Sequence, residues 1–212
     1  MGRKKPKDLF FMQQQQLFVS EIFKSIQGEG SKIGIPSIFL RLGICNLQCA
    51  WCDTPYTWKK GLTDYTARSQ QWILKKIALL RKDTGIRNLV VTGGEPLLQL
   101  DKALVVALHD EGFEIGIETN GTLLPPPGID WICVSPKADA EQKLKHGDEL
   151  KLIYPQDGAA PERYAGQDFR NFFLQPMDGP DRVRNTEAPT RYCLEHPQWR
   201  LSLQTHKLIG IR

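Results

Sequence analysis

With 212 residues, 41% of them hydrophobic, the chain has material for one sizeable core. No apolar stretch approaches the roughly 20 residues of a membrane span, so no membrane role is expected. The net charge of +4 arises largely from Met1 to Lys7, and the near-balance elsewhere argues against broad nucleic-acid binding.

Five cysteines, three of them clustered, fit metal ligation in a reducing compartment better than a disulfide framework. The basic N-terminus lacks an apolar secretory segment, and Pro6 stands where a myristoylation signal wants Ser or Thr. A cytoplasmic address is expected.

Residues 1–16 are basic and then glutamine-rich, from Gln13 to Gln16, and read as a flexible N-terminal extension. Residues 17–212 read as a single domain. Strands are predicted at Phe18–Phe23, Ile38–Leu42, Asn88–Val91, Glu114–Glu118, Trp131–Val134, Leu150–Ile153, Phe172–Leu174 and Arg200–Leu203. Helices are predicted at Gln70–Asp83, where Ile73, Ile77 and Leu80 recur before Gly85, and from Asp101 as N-cap to Gly112. A third is predicted at Pro189–His196, with proline near its first turn.

This alternation predicts an α/β fold whose parallel strands are joined by right-handed crossovers. A complete eight-unit barrel needs about 250 residues. The connection Thr119–Asp130, with three consecutive prolines, is too short for a full helix. The expectation is an incomplete TIM-type barrel with several helices missing, its ligands gathered at the carboxyl ends of the strands.

The motifs fall at those ends. Cys45, Cys49 and Cys52 form C-x3-C-x2-C directly after a predicted strand. Three thiolates supply one ligand too few for a closed cubane and would leave one iron free for a small molecule. Structural zinc is the alternative, but it wants a second Cys pair or paired histidines, and neither Cys133, Cys193 nor the four histidines provide one. Thr92-Gly93-Gly94-Glu95-Pro96, Glu118-Thr119-Asn120-Gly121, Ser135-Pro136-Lys137 and Gln175-Pro176-Met177-Asp178 place polar groups after four further strands. Each alone is also an ordinary turn signal.

Gln27-Gly28-Glu29-Gly30 fails as a phosphate loop, because Pro36 interrupts before any helix. It is either a hairpin turn or a loop suited to a heteroaromatic lactam edge. Arg41, inside an apolar strand, reads as an edge residue or a clamp for a carboxylate.

The cysteine triplet with T-G-G-E-P resembles the radical S-adenosylmethionine superfamily. The ordered set Q-G-E-G, R-L-G-I-C-N-L-Q-C-A-W-C-D-T, T-G-G-E-P, E-T-N-G, W-I-C-V-S-P-K, Q-P-M-D-G-P and W-R-L-S-L-Q-T-H-K resembles the 7-carboxy-7-deazaguanine synthases from about Leu17 to Arg212. Some members of that family carry a long insertion between the first two cluster cysteines; this chain has the short spacing.

The resemblance implies a lyase of 7-deazapurine (queuosine) biosynthesis that contracts the ring of 6-carboxy-5,6,7,8-tetrahydropterin and releases ammonia. Its cofactors would be a 4Fe-4S cluster on Cys45, Cys49 and Cys52, S-adenosylmethionine, and Mg2+ at Thr54. It further implies cofactor contacts at Trp51, Cys52, Asp53, Gly94, Ser135, Pro136, Lys137, Gln175, Pro176, Met177 and Asp178. Substrate contacts are implied at Ile26, Gln27, Gly28, Arg41, Thr92 and Arg212, with Glu29, Glu118 and His206 as further pocket candidates. A homodimer and an electron donor such as a flavodoxin are also implied. Two rival readings are an activase acting on a partner protein and a zinc-stabilised RNA-binding module.

Overall fold

The computed structural model describes residues 16–212. Its single sheet holds nine strands in the order β3-β1-β2-β4-β5-β6-β7-β8-β9. These are β1 (Gln16–Ile26), β2 (Pro36–Leu42), β3 (Thr66–Ser69), β4 (Asn88–Gly93), β5 (Glu114–Thr119), β6 (Trp131–Val134), β7 (His146–Tyr154), β8 (Asp168–Pro176) and β9 (Trp199–Leu201). From β2 to β9 every neighbouring pair is parallel. This is the open, partial barrel expected.

One part of the expected all-parallel sheet needs correcting. β1 pairs antiparallel with both β2 and β3, because only a loop separates β1 from β2 and a parallel return would need a crossover. The expected strands all form, most of them longer than predicted. The edge strand β3, Thr-Ala-Arg-Ser, is polar and shows no alternation to find. Gln16 lies in β1, and the rest of the expected extension is outside the described residues.

Three helices cover the outer face: α1 (Gln70–Arg81), α2 (Lys102–Asp110) and α3 (Arg182–Glu195). Ser69 caps α1 by accepting from Trp72 N, and Asp101 caps α2 by accepting from Leu104 N at 2.8 Å. α3 starts at Arg182, so Pro189 lies inside it and not near its first turn. Its first half, Arg-Val-Arg-Asn-Thr-Glu, has no apolar period, and Val183 is 79% exposed. A fourth, single-turn helix, α4 (Thr205–Leu208), is too short to leave a periodic signal.

The strand period of two sorts residues between the faces. Leu40, Leu42, Leu89, Val91, Ile115 and Ile117 point outward and pack with Ile73, Ile77, Leu104 and Leu108 of the helices. A second outer cluster joins Leu150, Leu152, Leu174 and Trp199 to Tyr192 of α3. The inner face carries a small apolar floor of Phe23, Phe39 and Val90, the two rings stacked at 5.1 Å. Above that floor the same strands turn polar.

Candidate active site at the open end of the barrel

The polar upper half of the inner face opens into a cavity of about 730 Å³. That is ample for a nucleoside-type cofactor beside a bicyclic substrate. Register explains how the strands deliver its wall. Arg41 of β2 pairs with Thr92 of β4, and Glu118 of β5 and Lys151 of β7 also line the cavity, while Cys133 of β6, level with Glu118, is buried and does not.

The cysteine loop leaves β2 through Ile44, which takes a positive φ of 67°. Cys45, Cys49 and Cys52 are unpaired, half-buried thiols on the cavity wall. The loop is held by Ile44 N donating to Thr57 O at 2.7 Å and by Asn46, which donates to Thr122 Oγ1 and accepts from Asn120 Nδ2. Behind it runs the turn after β4, where Gly94 N donates to Leu42 O and Glu95 N to Ile44 O. A Cβ on Gly93 would collide with Leu42 O, and one on Gly94 with Ile44 O. The two glycines serve a close approach of backbone to backbone, which positions the cysteine loop before any ligand is considered.

Glu95 turns inward and accepts from Thr119 Oγ1, Asn120 N and Leu97 N within 3.0 Å. Burial nonetheless pushes its carboxyl up. Lys137 lies 5.5 Å from the Trp51 ring centroid and donates to both oxygens of Ser135. Burial draws its ammonium down from the usual lysine range. Lys207 of α4 joins Asp53 of the cysteine loop, at 2.8 Å, to Asp178 after β8, at 2.7 Å.

Gln27, Gly28 and Glu29 form the opposite wall. The segment is the β1–β2 hairpin connection and a cavity wall at once, so the two expectations for it were compatible. Gln27 Nε2 donates to Glu118 Oε1 at 3.0 Å, and Thr92 Oγ1 donates to Glu118 Oε2 at 3.2 Å. His206 packs on Gly28 closely enough to leave no room for a Cβ there. Arg41 donates through Nε to Glu21 Oε1 at 2.8 Å, and Arg212 reaches Glu21 Oε2 at 3.4 Å.

The structure brings Trp51, Cys52, Asp53, Gly94, Ser135, Lys137, Gln175, Pro176 and Asp178 around one cavity with Ile26, Gln27, Gly28, Arg41, Thr92 and Arg212. Thr54, Glu29, Glu118 and His206 line it as well, whereas Pro136 and Met177 do not. Glu21, Tyr56, Lys151, Gln204 and Lys207 were missed. Gln204 and Lys207 fall within W-R-L-S-L-Q-T-H-K, where only His206 was singled out, while Glu21 and Lys151 sit mid-strand with no motif around them, and only an inward period-two position could have marked Lys151.

The cysteine loop suits a multi-iron cluster. Among the described residues no three His, Cys, Asp or Glu side chains converge as a single ion requires. Leu47 N and Trp58 Nε1 already point at the Cys45 and Cys52 sulfurs, at 3.4 and 3.3 Å, as donors to cluster sulfurs do. Burial pushes the Cys45 and Cys49 thiols up, so bound iron must supply the charge that makes them thiolates. Near Thr54 the Asp53 carboxylate is already taken by Lys207 and Gln204. A magnesium ion there would draw its remaining ligands from water and substrate.

Comparison with known proteins follows the same lines. A family model described as the radical SAM superfamily matches residues 40–142. The 7-carboxy-7-deazaguanine synthase of Bordetella pertussis is 49% identical over 205 residues, covering 91% of this chain and 98% of its own. That of Bradyrhizobium diazoefficiens is 50% identical over 206 residues, with 92% and 98% covered. The chain belongs to the 7-carboxy-7-deazaguanine synthase family. The crystal structure of QueE from Escherichia coli superposes with a TM-score of 0.70 at 29% identity, covering 95% of this chain and 99% of that one. As a radical S-adenosylmethionine enzyme of this family, the protein uses a 4Fe-4S cluster and S-adenosylmethionine. These relatives do not favour the activase reading. The superfamily match does not include Q-G-E-G or the residues after Gln142.

Proposed function

We propose that this protein contracts the ring of 6-carboxy-5,6,7,8-tetrahydropterin to 7-carboxy-7-deazaguanine and releases ammonia. The observation that carries the reading is that one cavity joins the cysteine triplet to a second wall of Gln27, Glu29, Arg41, Thr92 and Glu118. The cluster and S-adenosylmethionine supply a radical able to take a hydrogen atom from a carbon of the substrate.

The chain's own residues do the positioning. Cys45, Cys49 and Cys52 hold the iron. Trp51, Asp53, Gly94, Ser135, Lys137, Gln175, Pro176 and Asp178 bind S-adenosylmethionine, with Glu95 receiving its ammonium. Arg41 fixes the substrate carboxylate, with Mg2+ at Thr54 on the same group. Ile26, Gln27, Gly28, Thr92 and Arg212 seat the pterin, and Glu29 and Glu118 accept from its N–H edge. Working in the cytoplasm as a homodimer fed by a flavodoxin-type donor completes the proposal. Among the described residues no helix is long and apolar enough to cross a membrane.

The test is an anaerobic assay of reconstituted protein with reductant, Mg2+, S-adenosylmethionine and the tetrahydropterin, followed by mass spectrometry. Carboxydeazaguanine accumulating over many turnovers, without matching 5′-deoxyadenosine, is the expected result. Deoxyadenosine without that product would sink the substrate assignment.

A further inference from the structure

Lys151 has no role in the account above. It stands on β7 with its side chain 5% exposed, its ammonium on the Glu29 carboxylate and 3.6 Å from Glu118. Glu149 lies two residues back on the same face, directly beside Cys133 of β6. One ammonium therefore serves two carboxylates in a buried place, with a third close by. Glu149 is otherwise engaged, accepting from Ser31 N at 2.9 Å. Glu29 and Glu118 both reach the cavity.

A buried ion pair adds little stability over well-packed apolar side chains, so stability alone does not account for a lysine here. What the lysine does fix is the charge and placement of two acceptors on the wall. They are also tied to each other, since Glu29 N donates to Gln27 Oε1 and Gln27 Nε2 donates to Glu118.

We infer that Lys151 is the positioning residue of this site: its ammonium sets Glu29 and Glu118 side by side as acceptors for a ring edge presenting two N–H donors. The inference rests on the substrate reading proposed above, since the 2-amino-4-oxo edge of a pterin is such an edge. An ionised carboxylate only accepts, whereas a protonated one also donates and would oppose the same edge. Burial works against the charge on Glu29, and Lys151 outweighs it, holding that carboxyl below its usual range.

Without the ammonium, burial and the neighbouring negative charge of Asp53 would be opposed only by the hydrogen bond from Gln204, and Glu29 would take up a proton more readily. The charged and titratable groups facing Glu29 are Lys151 and Glu149 of β7, Glu118 of β5, Asp53 with its partner Lys207, and His206 against Gly28.

The test is equilibrium binding of 6-carboxypterin, an oxidised analogue, by calorimetry on cluster-loaded protein with S-adenosylmethionine present. Lys151→Met is expected to bind at least about tenfold more weakly than wild type near pH 5.5, and within about threefold near pH 7.5. Lys151→Arg keeps the charge, and its ratio to wild type should stay constant across that range. A Lys151→Met ratio that does not move with pH reduces the residue to a structural one and overturns the inference. Should the methionine variant fail to fold, a pH-dependent arginine ratio overturns it equally. Wild-type protein that binds no pterin removes the substrate reading, and this inference with it.

Discussion

Arg41 and Glu21 face each other across the first hairpin because β1 holds one residue too many. Val19 pairs with Leu42 and Glu21 with Arg41, so Ser20 is bulged out and Glu21 is re-aimed at the arginine. Tyr56 donates its hydroxyl to the same carboxylate at 3.2 Å, and Arg212 approaches its other oxygen. On the proposed reading, a substrate carboxylate at Arg41 would meet a guanidinium already oriented, with Nε engaged by Glu21. Arg41→Ala should raise KM about 10- to 100-fold, the value of a charged hydrogen bond. Cluster absorbance and S-adenosylmethionine binding should stay unchanged. If the variant unfolds instead, Arg41 is structural and the clamp is wrong.

The cysteines should divide sharply by position. Cys49→Ala is expected to lose cluster absorbance and turnover together. Cys133 is buried on the inner face, away from the loop, so Cys133→Ala should keep its iron and lose only about 1–3 kcal/mol of stability. Iron counts and urea unfolding on the two proteins decide the matter. Iron retained by Cys49→Ala would undo the ligand set.

Gly94→Ala tests whether the turn after β4 positions the cysteine loop. The added methyl meets Ile44 O, so backbone must shift at the root of that loop. Iron incorporation should fall by half or more, in the range of strain costing about 1–3 kcal/mol, while the fold persists by circular dichroism. Normal iron content in this variant would show that the two segments are not coupled.

Lys207 makes a prediction with a pH signature. Its hydrogen bond to Asp178 holds that carboxyl below the usual range, with burial opposing. A lowered carboxylate pKa contributes stability above the unfolded value, lost as pH falls through the folded one. Lys207→Met should therefore cost about 1 kcal/mol or less at neutral pH, as partly exposed pairs do, and the difference from wild type should shrink as pH falls below about 4. Urea midpoints from pH 3 to pH 7 measure it. A difference that persists in acid would assign the effect to packing.

Much of this arrangement was legible before any coordinates. Trp131–Val134 forms as read, Asp101 caps its helix, and the motif residues reach one cavity because they follow strands that end on the same side. Other features were hidden for physical reasons. The bulge at Ser20 is a matter of pairing between strands, which one strand's sequence does not state. The polar half of α3 has no apolar stripe. Lys151 is a lone cation in a buried strand, Leu-Lys-Leu-Ile, whose partners lie 33 and 122 residues away in sequence order, on Glu118 and Glu29. Contacts at such range obey no local period.

The same long reach has a consequence for how the enzyme comes into being. Thr205 N donates to Gly28 O, Gly30 N donates to Ser202 Oγ, and Gln204 donates to Glu29 across 175 positions. During synthesis the ribosome releases the cysteine loop and its supporting turn long before these fasteners exist. A nascent or truncated chain ending ahead of Ser202 therefore has cluster ligands, with Glu29 and Gln27 already tied to Lys151 and Glu118, but lacks the last fasteners of the proposed substrate wall. Such a chain could acquire iron while that proposed wall is still incomplete. The order of translation thus makes the guard on the chemistry the last part to arrive.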